Sequence, residues 1–128
     1  MLSDEEYEFS FYDIQFGFDD AEAFCNEIRG RLIEPVDVYM MNNVTDYANM
    51  KSIGSFWLGI HDKYDEGTFV FASSNFTIVL SNWAAGQPDN NSTGEDCVEV
   101  NENGQWNDLP CEGRKKSFVC MRGNDYWS

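Results

Sequence analysis

The chain reads as a single domain of the α+β class, and two features of its pattern predict this. Helical periodicity is confined to the first fifty or so residues, and from Phe56 onward the pattern changes to short strands separated by polar loops. Helices followed by strands do not make a βαβ repeat. Length agrees, since 128 residues can bury one core but not two. No linker, internal repeat or low-complexity tract divides the chain, and an aromatic share of 16% supplies the core.

The elements follow in order. In "EFSFYDIQF" the apolar phase runs Phe9, Phe11 and then Tyr12, Ile14, Phe16, which predicts a first strand with a bulge where the phase slips. Asp19 or Asp20 is read as the cap of a helix that lines up Ala21, Phe24, Cys25 and Ile28, with Gly30 as its stop. Pro35 suits the first turn of a second helix, whose stripe of Val36, Met40, Val44 and Tyr47 ends near Ser52 to Gly54. The strands "FWLGI", "FVF", "CVEV" and "SFVC" come next, and "SNW" before the long loop also reads as buried strand.

Composition narrows the function classes. Eight Lys and Arg against 23 Asp and Glu give a formal charge of -15, which repels nucleic acids and anionic bilayers. No apolar run is long enough for membrane insertion. Suitable partners are cations or neutral molecules. Cys25, Cys97, Cys111 and Cys120 form no CxxC pair, which favours two disulfides over a zinc site and implies a secreted, extracellular protein. Met1 to Glu5 has no signal-peptide character, so Met1 is read as an initiator placed on a mature secreted chain. His61, with no nucleophile near it in sequence, is read as a lone surface histidine rather than a catalytic one.

The longest stretch without period runs from Asn82 to Asp96, and loops of that length in compact domains are usually functional. Gln87 and Asp89 flank Pro88 in it, Glu95 follows, and Asn107 and Asp108 stand in "GQWNDLPC". All five side chains offer oxygen, and a mix of carboxylate and amide oxygens describes a Ca2+ site, since zinc prefers nitrogen and sulfur. A Cys97 to Cys111 disulfide would clamp the two ligand-bearing segments side by side. A glycosidase using Glu95 and Asp108 would need these acids to hold water and a glycosidic bond, and acids committed to a cation are poor general acids, so an enzyme is not expected.

In their order and gaps, "WLGI" (57–60), "SNW" (81–83), "QPD" (87–89), "EDC" (95–97) and "WND" (106–108) resemble the carbohydrate-recognition domain of the C-type lectins. The match covers Phe11 to Met121, so the resemblance implies one such domain over residues 1–128 with its core at about 9–121. It implies the double-looped α+β fold of two helices flanking antiparallel strands, the pairings Cys25 with Cys120 and Cys97 with Cys111, and a cis bond before Pro88. The family's extra N-terminal disulfide is absent, as in the short form.

The resemblance also implies a function. Two vicinal hydroxyls of a sugar would each give a lone pair to calcium, with Gln87 and Asp89 as donor and acceptor for one and Asn107 and Glu95 for the other, while Asp108 holds the ion. The order amide-Pro-acid goes with galactose or N-acetylgalactosamine, and acid-Pro-amide with mannose. An auxiliary calcium would draw on Asp62, Glu66, Asn90, Glu95 and Asp96, although Asn90 stands where an acid is usual. Galactose-type members commonly carry an aromatic a few residues after the triplet; here "NNSTG" has none, which makes Tyr64 a candidate for stacking on the sugar and Tyr126 with Trp127 a remoter one. The alternative is a lectin-like domain that binds a protein partner or ice, with calcium only structural. One shallow site binds a monosaccharide weakly, so a homo-oligomer is expected, with a dimer as its form.

Overall fold

A computed structural model describes residues 2–3, 6–88 and 96–123. The chain forms β1 (Leu2–Ser3), β2 (Tyr7–Phe16), α1 (Phe18–Glu27), β3 (Arg31–Leu32), α2 (Val38–Met50), β4 (Phe56–His61), β5 (Val70–Phe71), β6 (Cys97–Val100), β7 (Trp106–Leu109) and β8 (Lys116–Gly123). The first and last long strands pair: β2 runs antiparallel to β8 from Tyr7 opposite Gly123 to Phe16 opposite Lys116, with a register shift between Tyr12 and Phe16. The phase slip predicts a bulge between Phe11 and Tyr12, but the register is regular there and breaks only after Tyr12, where Ile14 is exposed. In the other half, β4 pairs with β5 and β6, and β6 with β7, all antiparallel. The halves join where Phe56 on β4 meets Ser117 on β8 in parallel register.

Both helices begin elsewhere than the sequence suggests. Gly17, not Asp19 or Asp20, is the N-cap of α1, and the two acids occupy the first turn, at the positive end of the helix dipole. At the other end Arg29 takes the left-handed conformation (φ 67°). Its N–H donates to Asn26 and that of Gly30 to Cys25, which closes a Schellman cap. Gly30 is therefore needed for space: a Cβ there would lie 2.6 Å from the carbonyl oxygen of Met121. Pro35 lies outside α2. The N–H of Val36 turns back to Glu34, and the side chain of extended Asp37 accepts the Tyr39 N–H, so the helix starts at Val38.

Along α2, Met40, Met41, Val44, Thr45 and Ala48 are buried, and Tyr47 packs on Phe11 with ring centroids 4.7 Å apart. Met40, Met41 and Val44 join Phe56, Leu58, Ile60, Val98, Val100 and Trp106 in the larger core cluster. The smaller surrounds Cys25, Trp57 and Phe118. Disulfides join Cys25 to Cys120 and Cys97 to Cys111, with Cα separations of 5.4 and 5.0 Å. Gly59 in "WLGI" lets β4 cross the segment after β3: its N–H donates to Ile33 at 2.6 Å, and a Cβ would lie 2.8 Å from the Leu32 carbonyl oxygen.

"SNW" is not a strand. Ser81 and Asn82 are exposed, and only Trp83 makes a bridge, to Trp106. It is instead a strap, held where Trp106 N–H donates to Asn82 and Ala84 N–H to Trp106, both at 2.9 Å. The strand it lies along is β7, whose polar centre hid it from the alternation pattern.

Candidate functional site

The strap leads into the long loop through a turn in which Gln87 N–H donates to Ala84 and Gly86 has φ 81°. The Gln87 to Pro88 bond is cis. Gln87 Oε1 accepts the backbone N–H of Asp108 at 3.4 Å, so the base of the loop is fastened to β7. Asn107 and Asp108 stand opposite Glu99 and Val98 of β6. The Cys97 to Cys111 disulfide ties the start of β6 to the exit of β7. Of the five principal ligands expected from sequence, Gln87 and Asp108 are thus brought together, and Asn107 precedes Asp108 on β7 with its side chain bonded to Glu99. Asp89 and Glu95, like Asn90 of the auxiliary set, lie outside the described residues.

The next groups are carboxylates at the end of β4. Asp62 N–H donates to the Asp96 carbonyl at 3.1 Å, and the turn that follows brings back Glu66 and Gly67, whose N–H donates to Asp62 Oδ2 at 2.9 Å. Carboxylate oxygens of Asp62, Glu66 and Asp96 lie within 4.8 Å of one another. Asp62 is buried, and its Oδ1 meets no donor among the described residues. Burial pushes its carboxyl up to about 6; the Gly67 N–H opposes this and the Glu66 carboxyl adds to it. Asp96 is also raised, by burial and then by Asp62. Three converging acids with one buried, unpartnered oxygen fit a hard cation such as calcium, whose ligands are carboxylate and carbonyl oxygens.

His61 is buried, contrary to the expectation of a surface histidine, because it ends a strand buried along its whole length. Its Nδ1 accepts the Lys63 N–H at 3.3 Å, and burial followed by the Lys63 charge holds its pKa down. It thus ties the start of the acidic turn to the end of β4. Tyr64 stands exposed on that turn, its ring edge-on to His61 at 5.4 Å between centroids. An open cleft of about 390 Å³ beside the cis bond has a mixed lining, apolar from Phe69, Ile78, Val79, Leu80, Trp83 and Pro88 and polar from Thr68, Thr77 and Ser81.

Sequence reasoning missed one polar network. Asn107 Nδ2 donates to Glu99 Oε2 at 3.3 Å, and Glu99 Oε1 lies 2.7 Å from Lys116 Nζ. Burial would raise the Glu99 carboxyl, but Lys116, with donors from Asn107 and Ser55, outweighs it and holds the group below its ordinary value. The signal was Glu99 itself, a charge among the buried residues of "CVEV".

Comparison with known proteins places the domain in a family. The chain is 34% identical over 103 residues to bovine pulmonary surfactant-associated protein D, covering 80% of this chain and 27% of that protein. It is 33% identical over 100 residues to the mouse low affinity immunoglobulin epsilon Fc receptor, covering 78% of this chain and 29% of that protein. It thus spans under a third of the length of either relative. Among solved structures, the carbohydrate-recognition domain of the mouse scavenger receptor C-type lectin superposes with a TM-score of 0.87 at 25% identity, covering 98% of this chain and 95% of that one. The profile of the Lectin C-type domain matches residues 14–122, and the chain belongs to that family, whose members are generally binding domains rather than enzymes.

Proposed function

We propose that this domain binds calcium and, through it, two vicinal hydroxyls of a galactose-type sugar. The observation that carries the reading is the bond between Gln87 Oε1 and the Asp108 N–H, which sets the amide-Pro segment against the Asn107 to Asp108 strand. A bound calcium supplies positive charge that accepts a lone pair from each hydroxyl. Around it, Gln87 and Asn107 carry N–H donors, while Asp89 and Glu95 carry acceptors, so each hydroxyl meets one of each. Asp108 is the remaining ligand, and Asp62, Glu66 and Asp96, with Asn90 and Glu95, serve an auxiliary ion that steadies the loop.

The order amide-Pro-acid supports galactose or N-acetylgalactosamine. No aromatic stands in "NNSTG" after the triplet, and Trp83 borders the same cleft as Pro88, so we assign the apolar face of the sugar to Trp83 in that cleft. Two disulfides suit a secreted, extracellular setting, and a multivalent form, such as a dimer, suits a shallow site. A glycan array probed with and without calcium tests the reading: galactose-terminated spots should hold the protein in calcium and release it in chelator.

A second reading, a protein-binding domain with structural calcium, is favoured by one comparison, since the mouse receptor at 33% identity is named for an immunoglobulin ligand. Such a domain would bind no spot on the array.

A further inference from the structure

Glu99 faces Asn107 across the β6/β7 ladder, and its Oε2 receives the Asn107 Nδ2 at 3.3 Å. A carboxylate only accepts, so the nitrogen end of the amide must face Glu99 and the oxygen end must face away. The assignment of the two ends, often arbitrary for asparagine, is here fixed by chemistry.

Glu99 is itself held. Its Oε1 lies 2.7 Å from Lys116 Nζ, and Lys116 also reaches Ser55 Oγ at 3.3 Å. The parallel bridge between Phe56 and Ser117 brings Ser55 and Lys116, each one residue before a bridge partner, to the same place. Both charged side chains are only 18% exposed, so this pair is more constrained than an ion pair in open water. The chain of contacts runs from β8 through β6 to β7 and ends on a residue of the proposed site.

We propose that Glu99, clamped by Lys116, is a positioning residue for Asn107. By taking one N–H it turns Asn107 Oδ1 outward as a cation ligand and leaves the second N–H for a sugar hydroxyl. This rests on the calcium-lectin reading above. Partners of metal ligands that fix an orientation in this way typically carry about 10–100-fold in affinity.

The test uses the full chain and three readouts: nitrogen-resolved NMR of the Asn107 side-chain amide in chelator, calorimetric titration with calcium alone, and thermal melting in chelator. Glu99→Gln should shift the Asn107 amide signals and weaken calcium about tenfold. Lys116→Met should do the same more mildly, and Lys116→Arg, which keeps the clamp, should restore affinity to within about twofold of wild type. Val44→Ala in α2 is the control for lost stability alone; at a matched fall in melting temperature it should leave calcium affinity unchanged. The proposal is overturned if Glu99→Gln leaves the Asn107 signals in place, or if it weakens calcium no more than Val44→Ala does. If the Asn107 signals respond but wild type binds no calcium, the calcium reading fails while the orientation of Asn107 by Glu99 stands.

Discussion

Asp62 gives its backbone N–H to the Asp96 carbonyl at 3.1 Å, so two acids far apart in sequence are joined through their main chains, with their carboxylate oxygens and those of Glu66 within 4.8 Å. Without a cation this arrangement costs stability. The Asp62 carboxyl is raised from 3.8 to about 6, so the folded state holds a proton that the unfolded state releases, and its contribution falls as pH rises through about 6. Asp62→Asn removes this cost. In chelator the variant should be more stable than wild type at pH 7.5, by on the order of 2 kcal/mol, with the gain vanishing near pH 4. His61, whose lowered pKa acts in the opposite sense, is common to both proteins and cancels in the difference. In calcium the order should reverse. Urea melts at several pH values, with and without calcium, measure both.

The Cys97 to Cys111 bond closes a short loop and holds β6 beside the exit of β7. Replacing both cysteines with serine should cost about 2–4 kcal/mol and leave a folded domain. Calcium-dependent sugar retention should fall more steeply than stability, because residues 107 and 108 lose their anchor. Melting and resin binding on the same sample separate the two effects.

The end of α1 offers a stability pair with opposite signs. Gly30→Ala would place a Cβ 2.6 Å from the Met121 carbonyl oxygen, against backbone rather than a movable side chain, and should destabilise by about 1–3 kcal/mol. Arg29→Gly relieves a left-handed non-glycine residue and should be neutral or stabilising by about 1 kcal/mol. Denaturant titration of the two variants checks the assignment.

The fold was legible where periodicity and glycine punctuation agreed. The first strand, the Cys25 face and "CVEV" follow from alternation or helical spacing, which burial enforces directly, whereas the bulge of the first strand falls after Tyr12 rather than at the phase slip. The start of α2 was misread because Pro35 fits a first helical turn as well as the extended lead-in it occupies, and only the Asp37 cap decides between them. Strand β7 was missed because "WNDL" puts the polar residues Asn107 and Asp108 at its centre, which breaks the alternation. The clustering of Asp62, Glu66 and Asp96 was legible by resemblance, whereas the Glu99 to Lys116 pair was not, since its partners come from separate strands and no local pattern joins them.

Asn75 lies at a positive φ in an exposed turn and heads the sequon Asn-Phe-Thr. Phe76, the next residue, is 74% exposed, apolar surface that an attached glycan would shield. Protein made in a eukaryotic secretory host should carry a glycan at Asn75 and leave the sequons at Asn90 and Asn91 bare, since a glycan there would stand at the mouth of the proposed site. Mass spectrometry of the two peptides gives the occupancy.

The order of amide and acid around Pro88 carries the specificity claim, so the most direct measurement is a galactose-against-mannose binding comparison of wild type and the double variant Gln87→Glu, Asp89→Asn, in calcium and in chelator. Wild type should bind galactose in calcium alone, and the double variant, with donor and acceptor exchanged, should lose galactose and gain mannose while melting as before. Galactose binding that persists in chelator, or that survives the exchange unchanged, would contradict the account.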